Sequence, residues 1–340
     1  MFDSIHLEEP TATSSIVHEY TIASRYNEEE LSWEIPLHQL AQMHLDTMSK
    51  KALDRNWKLH ELFGTIAVIN LPIARERLRK VTEELHTIGT DTFEVFPAVN
   101  GCKDVDPSIW KKFFLNLHHI DISTEDGKLA FDRLHQGQAG CYLSHYRLIQ
   151  KMKAAFEGAM EQLRIAKETH NTEAIALAEK EALKHSRVLI LEDDSRFGFL
   201  NEKTLQVSQK GIGTVLHEAL LALPDDWDML YLIVNATEPT SEIAPHLRKL
   251  GTSWCLTAHV INHTMYGPLV DLLSKIEDPS ITQVLPVDNE ISAIHHLYNV
   301  YAIYPSVVFC DGGLSYITSK TWDPWQGQPI YHQKKPKSKK

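Results

Sequence analysis

Short apolar runs alternate with amphipathic helical patterns along most of this chain, and this alternation restricts the fold more than any other sequence feature. Residues 65–71 form a β-branched run, after which Leu78, Val81, Leu85 and Ile88 recur at helical spacing. Further strands are predicted at 93–99, 187–191, 229–234, 256–261 and 300–304, and further helices at 214–222, 264–276 and 288–297. The alternation predicts an α/β fold with a mostly parallel central sheet and helices on both faces.

The composition is typical of a globular protein with an acidic surface. Of 340 residues, 43% are hydrophobic and 23% are charged, and the formal net charge is −11. Because nucleic-acid binding normally requires clustered positive charge, no nucleic-acid partner is expected. The cysteines Cys102, Cys141, Cys255 and Cys310 form no CxxC pair, which favours reduced thiols over a disulfide framework.

The two ends of the chain bear on localisation. The first residues lack the basic start and apolar run of a secretory signal, and no stretch reaches the ~20 apolar residues of a membrane span. We therefore expect a cytoplasmic protein. Residues 334–340 are rich in lysine, which fits either a solubilising tail or a peripheral contact with the inner face of an anionic membrane.

Changes in composition divide the chain into three parts. Residues 1–62 predict a helical N-terminal extension, because Leu37, Leu40, His44 and Met48 lie at helical spacing. Residues 63–325 hold the strand and helix alternation and form the main domain. Within this domain, the helix formers between about 151 and 186 predict a helical insertion, and residues 326–340 form a basic C-terminal tail.

Three adjacent carboxylates, Glu192, Asp193 and Asp194, follow the predicted strand at 187–191. Carboxylates buried together repel one another unless a cation neutralises them, and hard cations prefer oxygen ligands. A solvated loop is the alternative interpretation. Ligands of open α/β sheets bind beyond the carboxyl ends of the strands, where Asn70 also emerges. The three carboxylates therefore predict a divalent-cation site beyond the carboxyl ends of these strands.

Four segments carry a family resemblance: Ile69–Leu71 with Arg77, Ala98–Gly101, Gly137–His145 and Leu189–Asp194. Together, in this order and within residues 64–318, they resemble glycosyltransferase family 25, which includes lipooligosaccharide and procollagen galactosyltransferases. The resemblance implies a glycosyltransferase A-type fold and inversion at the anomeric carbon. It also implies a nucleotide-sugar donor, typically UDP-galactose, and a divalent cation, usually manganese. The implied acceptor is a glycan or glycolipid, as in lipopolysaccharide biosynthesis.

The chain departs from the family pattern at three places. Family members usually have Glu where this chain has Gln138, and an aromatic residue where it has His259. A Ser-Asp-Ile-like signature appears here as Ser315–Ile317. The change at Gln138 bears most on donor and acceptor, because Gln keeps the size and a hydrogen-bonding end but removes the charge.

The resemblance also assigns roles to the acid triplet. Asp194 would bind the metal directly, Asp193 would meet the ribose of the donor, and Glu192 would support the metal site. The cation would stabilise the charge that develops on the departing nucleotide diphosphate. Either His259 or a residue near Asp311–Gly313 could complete the cation's shell.

Further donor-binding residues are predicted around Asn70. Arg77, near the start of the following helix, would contact phosphate or base, with a surface salt bridge as the alternative. Gly137 and Gln138 would lie in a glycine loop that approaches the donor, and this loop or Ser144 would cap a helix beginning near Leu143. His145 would hydrogen-bond the donor, or else be a buried core histidine.

An inverting transfer needs a general base, and Asp288 is the best candidate in the sequence. It resembles the Pro-x-Asp element of the family, although an Asp before a helix is also an ordinary N-cap. Glu290 is the reserve candidate.

Three functions stay open from the sequence. The first is a metal-dependent inverting hexosyltransferase, and the second is a catalytically silent glycan- or nucleotide-sugar-binding module with the same fold. The third is a metal-dependent hydrolase of phosphate esters. The intact acids and Asp288 favour the first, and the lack of a further tight His/Asp cluster argues against the third.

Overall fold

The computed structural model describes residues 59–113, 121–201, 206–236, 240–314 and 321–322. Most of the predicted extension at 1–62, the basic tail at 326–340 and the Ser315–Ile317 signature lie outside these residues. Among the helices of the described ranges, none is long and apolar enough to cross a membrane.

Strands and helices alternate as the sequence predicts. The strands are β1 (Thr65–Asn70), β2 (Glu94–Pro97), β3 (Arg187–Glu192), β4 (Ser195–Phe197), β5 (Phe199–Asn201), β6 (Gln206–Ser208), β7 (Met229–Tyr231), β8 (Asn235–Ala236), β9 (Ser241–Ala244), β10 (Leu247–Lys249), β11 (Ser253–Trp254), β12 (Ala258–Asn262), β13 (Val300–Ile303), β14 (Val308–Cys310), β15 (Gly313–Leu314) and β16 (Thr321–Trp322). The α-helices are α1 (Leu59–Phe63), α2 (Arg75–Thr87), α3 (Gly101–Asp104), α4 (Pro107–Trp110), α5 (Glu125–Glu168), α6 (Thr172–His185), α7 (Ile212–Leu221), α8 (Tyr266–Ser274) and α9 (Val287–Ala293). Single 3₁₀ turns lie at His263–Met265 and His295–Leu297.

The main sheet has the strand order β2-β1-β3-β12-β7-β13-β10-β9. Strand β1 pairs in parallel with β2 and with β3, and β7 pairs in parallel with β13. The pairings of β12 with β3 and β7, and of β10 with β13 and β9, are antiparallel. The predicted α/β fold is confirmed. Its sheet is parallel over β2, β1 and β3, where the predicted site lies, and mixed beyond β3.

Side chains of β3 alternate between two hydrophobic cores, one on each face of the sheet. Val188 and Ile190 pack in the core that contains Tyr142 and Ile149 of α5. Leu189 and Leu191 pack in the opposite core, with Val81 and Leu85 of α2. Because successive strand residues point to opposite faces, the residues that follow β3 inherit this alternation between α5 and α2.

The start of α5 differs from the sequence prediction. The helix begins at Glu125, where Oγ1 of Thr124 accepts a 3.0 Å hydrogen bond from the Gly127 amide, and not near Leu143. Gly137 and Gln138 therefore lie inside a helix, and Ser144 does not cap one.

The physical reason is packing. A Cβ atom on Gly140 would lie 2.7 Å from both Val99 O and Gly101 N, so glycine here allows α5 to approach the chain after β2. Ser144 Oγ accepts a 2.8 Å hydrogen bond from the Val99 amide and donates a 2.6 Å bond to Gly140 O. These residues join α5 to the segment after β2 and form no loop.

Candidate active site

The candidate site lies at the carboxyl ends of the parallel neighbours β1 and β3. Ile69 is in register with Glu192, so Asn70 and Asp193 leave the sheet side by side. The Asn70 amide donates a 2.6 Å hydrogen bond to Oδ2 of Asp193 and a 3.2 Å bond to Ala74 O. The sheet register therefore brings together two predicted site residues that are far apart in the sequence.

Arg77 joins this pair from the first turn of α2. Its Nε lies 2.9 Å from Oδ1 of Asp193, and its Nη2 lies 2.6 Å from Oδ2 of Asp194. Asp193 is nearly buried, and about a quarter of each of the Arg77 and Asp194 side chains stays exposed. Arg77 thus forms salt bridges, as the alternative interpretation expects, and these salt bridges include the predicted site acids Asp193 and Asp194.

The negative charge of this corner exceeds what Arg77 neutralises. Burial, followed by the charges of Glu192 and Asp193, raises the pKa of Asp194 to about 7, although Arg77 opposes this shift. Burial also raises the pKa of Asp193. The Oδ1 atom of Asp194 is buried and has no hydrogen-bond partner within the described residues. A free carboxylate oxygen in an excess of negative charge suits a hard cation.

Glu192 turns to the opposite face, towards α5. Its Oε1 lies 3.1 Å from Nε2 of His145 and 3.9 Å from Sγ of Cys141. Burial opposes ionisation of Glu192, but the hydrogen bond to His145 and the charge of Arg77 outweigh burial and lower its pKa. Burial and the charge of Glu192 raise the pKa of Cys141 well above its usual value, so a metal-free Cys141 is a protonated thiol and a poor nucleophile.

Sequence reasoning missed Cys141. Within the described residues, Cys141, His145 and Glu192 form a cluster of possible metal ligands, and their ligand atoms lie within 4.8 Å of one another. The detectable signal was the i, i+4 spacing of Cys141 and His145, which places both side chains on one helix face. Gln138, three residues before Cys141, shares this face.

A layer of buried aromatic side chains backs His145. The ring of His259 stacks on His145 with 5.7 Å between centroids and on Tyr231 with 5.9 Å. The Tyr231 hydroxyl lies 3.0 Å from Nε2 of His295. Burial lowers the pKa values of His259 and His295 to about 3, so both rings are neutral at physiological pH.

The two suggested additional cation ligands have other contacts. Nδ1 of His259 lies 2.9 Å from Leu256 O. Asp311 pairs with Arg196 at 2.9 Å and with Lys80 at 3.2 Å, and its amide donates a 2.8 Å hydrogen bond to Asp194 O. Asp311 thus supports the backbone of the acidic corner.

The two base candidates have different surroundings. Asp288 lies in the first turn of α9, and the preceding N-cap position is Pro286. Burial raises the pKa of Asp288, and the charge of Glu192 adds to the shift. Both oxygens of Glu290 are occupied, by the Lys275 ammonium and by the Leu285 amide at 2.7 Å. Asp288 therefore suits proton transfer better than Glu290, whose contacts tie α9 to the preceding chain.

One family model matches part of the chain. Residues 63–157 match the model of glycosyltransferase family 25, described as an LPS biosynthesis protein. No curated protein matches the chain. The resemblance is thereby confirmed over residues 63–157, which include Asn70, Arg77, Gln138 and His145 but neither the acid triplet nor Asp288.

Proposed function

We propose that this chain is a metal-dependent, inverting glycosyltransferase with an A-type fold. Its donor is a UDP-linked hexose, with galactose favoured by the family resemblance. Its acceptor is a glycan such as lipopolysaccharide or lipooligosaccharide. One observation carries the proposal: Asn70 and Arg77, from the segment that matches the family, contact Asp193 and Asp194 at the ends of adjacent strands.

The contacts support separate roles for the acids. Asn70 and Arg77 orient the carboxylate of Asp193, which can then accept hydrogen bonds from the ribose hydroxyls of a donor. Oδ1 of Asp194 is the oxygen best placed to hold the divalent cation, manganese by family resemblance. When bound, this cation supplies charge stabilisation for the departing diphosphate. Arg77 can exchange one carboxylate contact for a donor phosphate, because guanidinium binds both groups with the same donor geometry.

Asp288 is the proposed general base. It would accept the proton of the acceptor hydroxyl while that oxygen bonds to the anomeric carbon from the face opposite the nucleotide. Its burial and raised pKa favour this step, since proton transfer is most effective when the pKa of the base lies closer to the working pH.

The test is donor turnover with manganese. UDP-galactose, UDP-glucose and UDP-N-acetylglucosamine are incubated with and without lipooligosaccharide acceptors, and released UDP is quantified. We expect turnover with at least one donor, and a loss of 100-fold or more in Asp194→Asn. Asp225→Asn, at an exposed position, is the matched control. Asp288→Asn should lower turnover by about 10²–10⁴-fold while leaving donor binding intact.

One observation favours the alternative of a catalytically silent binding module: Arg77 forms salt bridges with both Asp193 and Asp194. Donor binding without hydrolysis or transfer would select this alternative, and failure of every donor to bind would refute both. Cytoplasmic action, with peripheral contact through the lysine-rich tail, stays a prediction.

A further inference from the structure

We propose that Cys141, His145 and Glu192 bind a borderline-soft divalent transition-metal ion, for which zinc is the best match. This zinc site is distinct from the hard-cation position at Asp194, and it does not depend on the proposed glycosyl transfer.

The donor atoms already lie close together. Oε1 of Glu192 is 3.1 Å from Nε2 of His145 and 3.9 Å from Sγ of Cys141, and all three atoms lie within 4.8 Å of one another. Metal-ligand distances of about 2.0–2.3 Å and tetrahedral geometry place ligand atoms about 3.3–3.8 Å apart. Small side-chain rotations are therefore enough to enclose an ion.

The scaffold holds these donors on regular elements. Cys141 and His145 lie one turn apart on α5, and Glu192 is the last residue of β3. The hydrogen bonds of Ser144 to Val99 N and Gly140 O fix this part of α5. Ligands on a helix and a strand are positioned more precisely than ligands on loops.

The donor types select the class of ion. Thiolate and imidazole favour zinc and similar ions over magnesium or manganese, which prefer oxygen ligands. Nε2 of His145 is the ring nitrogen that binds, because it faces the other donors at 3.1 Å from Oε1 of Glu192. Nδ1 of His145 is buried with no hydrogen-bond partner in the described parts of the chain. The ring of His259 stacks against His145, and its Nε2 atom is also buried without a hydrogen-bond partner in the described parts of the chain. A second neutral imidazole therefore lies beside the three proposed metal ligands.

Entry and charge balance also fit. Cys141 and Glu192 are half-buried, so an ion can reach them from solvent. On binding, the Cys141 thiol releases its proton to water as its sulfur bonds to the metal, and no group changes oxidation state. Three protein ligands leave one coordination position for water or another exchangeable ligand.

Cobalt substitution tests the site in the 340-residue chain. The protein is stripped with a chelator and titrated with Co²⁺, and the thiolate-to-cobalt charge-transfer band is followed before competition with Zn²⁺. Cys141→Ser removes the sulfur with little change in size, and Cys102→Ser changes an exposed cysteine on α3. Asp194→Asn tests separation from the hard-cation position, and Cys255→Ser tests another thiol.

We expect the charge-transfer band to saturate with one equivalent of Co²⁺ at the thiolate site, and Zn²⁺ to abolish the band. The band should disappear in Cys141→Ser, and the affinity should fall at least tenfold in Glu192→Gln. Cys102→Ser, Cys255→Ser and Asp194→Asn should keep the band. Absence of the band from the unsubstituted protein overturns the proposal, as does its survival in Cys141→Ser or its loss in Cys255→Ser.

Discussion

Nη2 of Arg77 lies 2.6 Å from Oδ2 of Asp194, so a side chain at the start of α2 contacts the last acid of the triplet after β3. The same guanidinium contacts Asp193 through Nε. Arg77 therefore holds two adjacent carboxylates in fixed orientations, and Oδ1 of Asp194 has no hydrogen-bond partner among the residues that the structure describes.

Replacing Arg77 should weaken binding of the nucleotide. Arg77→Ala removes the guanidinium that pairs with the carboxylates of both Asp193 and Asp194. The site then repels the phosphates of UDP more strongly. We therefore expect UDP affinity in the presence of manganese to fall at least tenfold, as measured by calorimetry. Arg79→Ala is the control on the same helix. Arg79 pairs with exposed Glu76 and Glu83, and such surface pairs contribute little to stability because solvent screens the charges. A rise in UDP affinity in Arg77→Ala would show that Arg77 shields the acids from the ligand.

Asp194 should make the protein less stable as pH rises towards neutrality. Its pKa is about 7 in the folded protein, against about 3.9 when unfolded. Between these values the folded state holds a proton that the unfolded state has lost, so the free energy of unfolding decreases with increasing pH and levels off above pH 7. Asp194→Asn has no carboxyl group at this position, so its free energy of unfolding lacks this pH dependence. Urea unfolding should show the variant gaining about 2–4 kcal/mol relative to wild type from pH 4 to pH 7, whereas a constant difference would indicate ordinary ionisation.

His259 should act in the opposite sense. Burial lowers its pKa to about 3, whereas an unfolded histidine has a pKa of about 6.5. Between these values only the unfolded state is protonated, so the free energy of unfolding falls as pH falls from 6.5 towards 3. His259→Phe should therefore lose less stability than wild type on acidification, as measured by urea unfolding at several pH values. His86→Phe, at an exposed position, is the control for replacing a histidine by phenylalanine, and equal slopes in His259→Phe and wild type would refute this prediction.

Two glycines of α5 should respond to alanine in opposite ways. A Cβ on Gly140 would meet backbone atoms at 2.7 Å, whereas one on Gly158 would meet nothing within 4 Å. We expect Gly140→Ala to lower the free energy of unfolding by about 1–3 kcal/mol through overpacking. Gly158→Ala should raise it by about 0.5–1 kcal/mol through helix propensity. Equal effects in denaturant unfolding would contradict the close packing of α5 against the segment after β2.

The strands around the site were predictable because burial on both faces gives continuous apolar runs. The apolar runs at 65–71 and 187–191 predict two strands, and the structure has β1 and β3 at Thr65–Asn70 and Arg187–Glu192. The edge hairpin of β9 and β10 was missed because exposed residues such as Ser241 and Glu242 interrupt any apolar pattern.

The glycines of α5 were misassigned because local sequence cannot distinguish a turn from close helix packing. Gly140 allows close helix packing, because a side chain there would collide with the backbone of Val99 and Gly101, about forty residues earlier in the sequence. The pairing of Glu192 with His145 and Cys141 was likewise hidden, since contacts between β3 and α5 depend on tertiary packing.

The alternation of β3 between two cores reaches beyond the strand. Asp193 contacts the α2 side through Arg77, and Glu192 contacts the α5 side through His145. Deleting one residue within 187–191 would move each following side chain to the opposite face of the sheet. Glu192 would then face α2 and Asp193 would face α5. Two consecutive residues thus contact different helices, so a substitution at His145 on α5 removes a direct contact of Glu192 but leaves the contact of Asp193 with Arg77 in place.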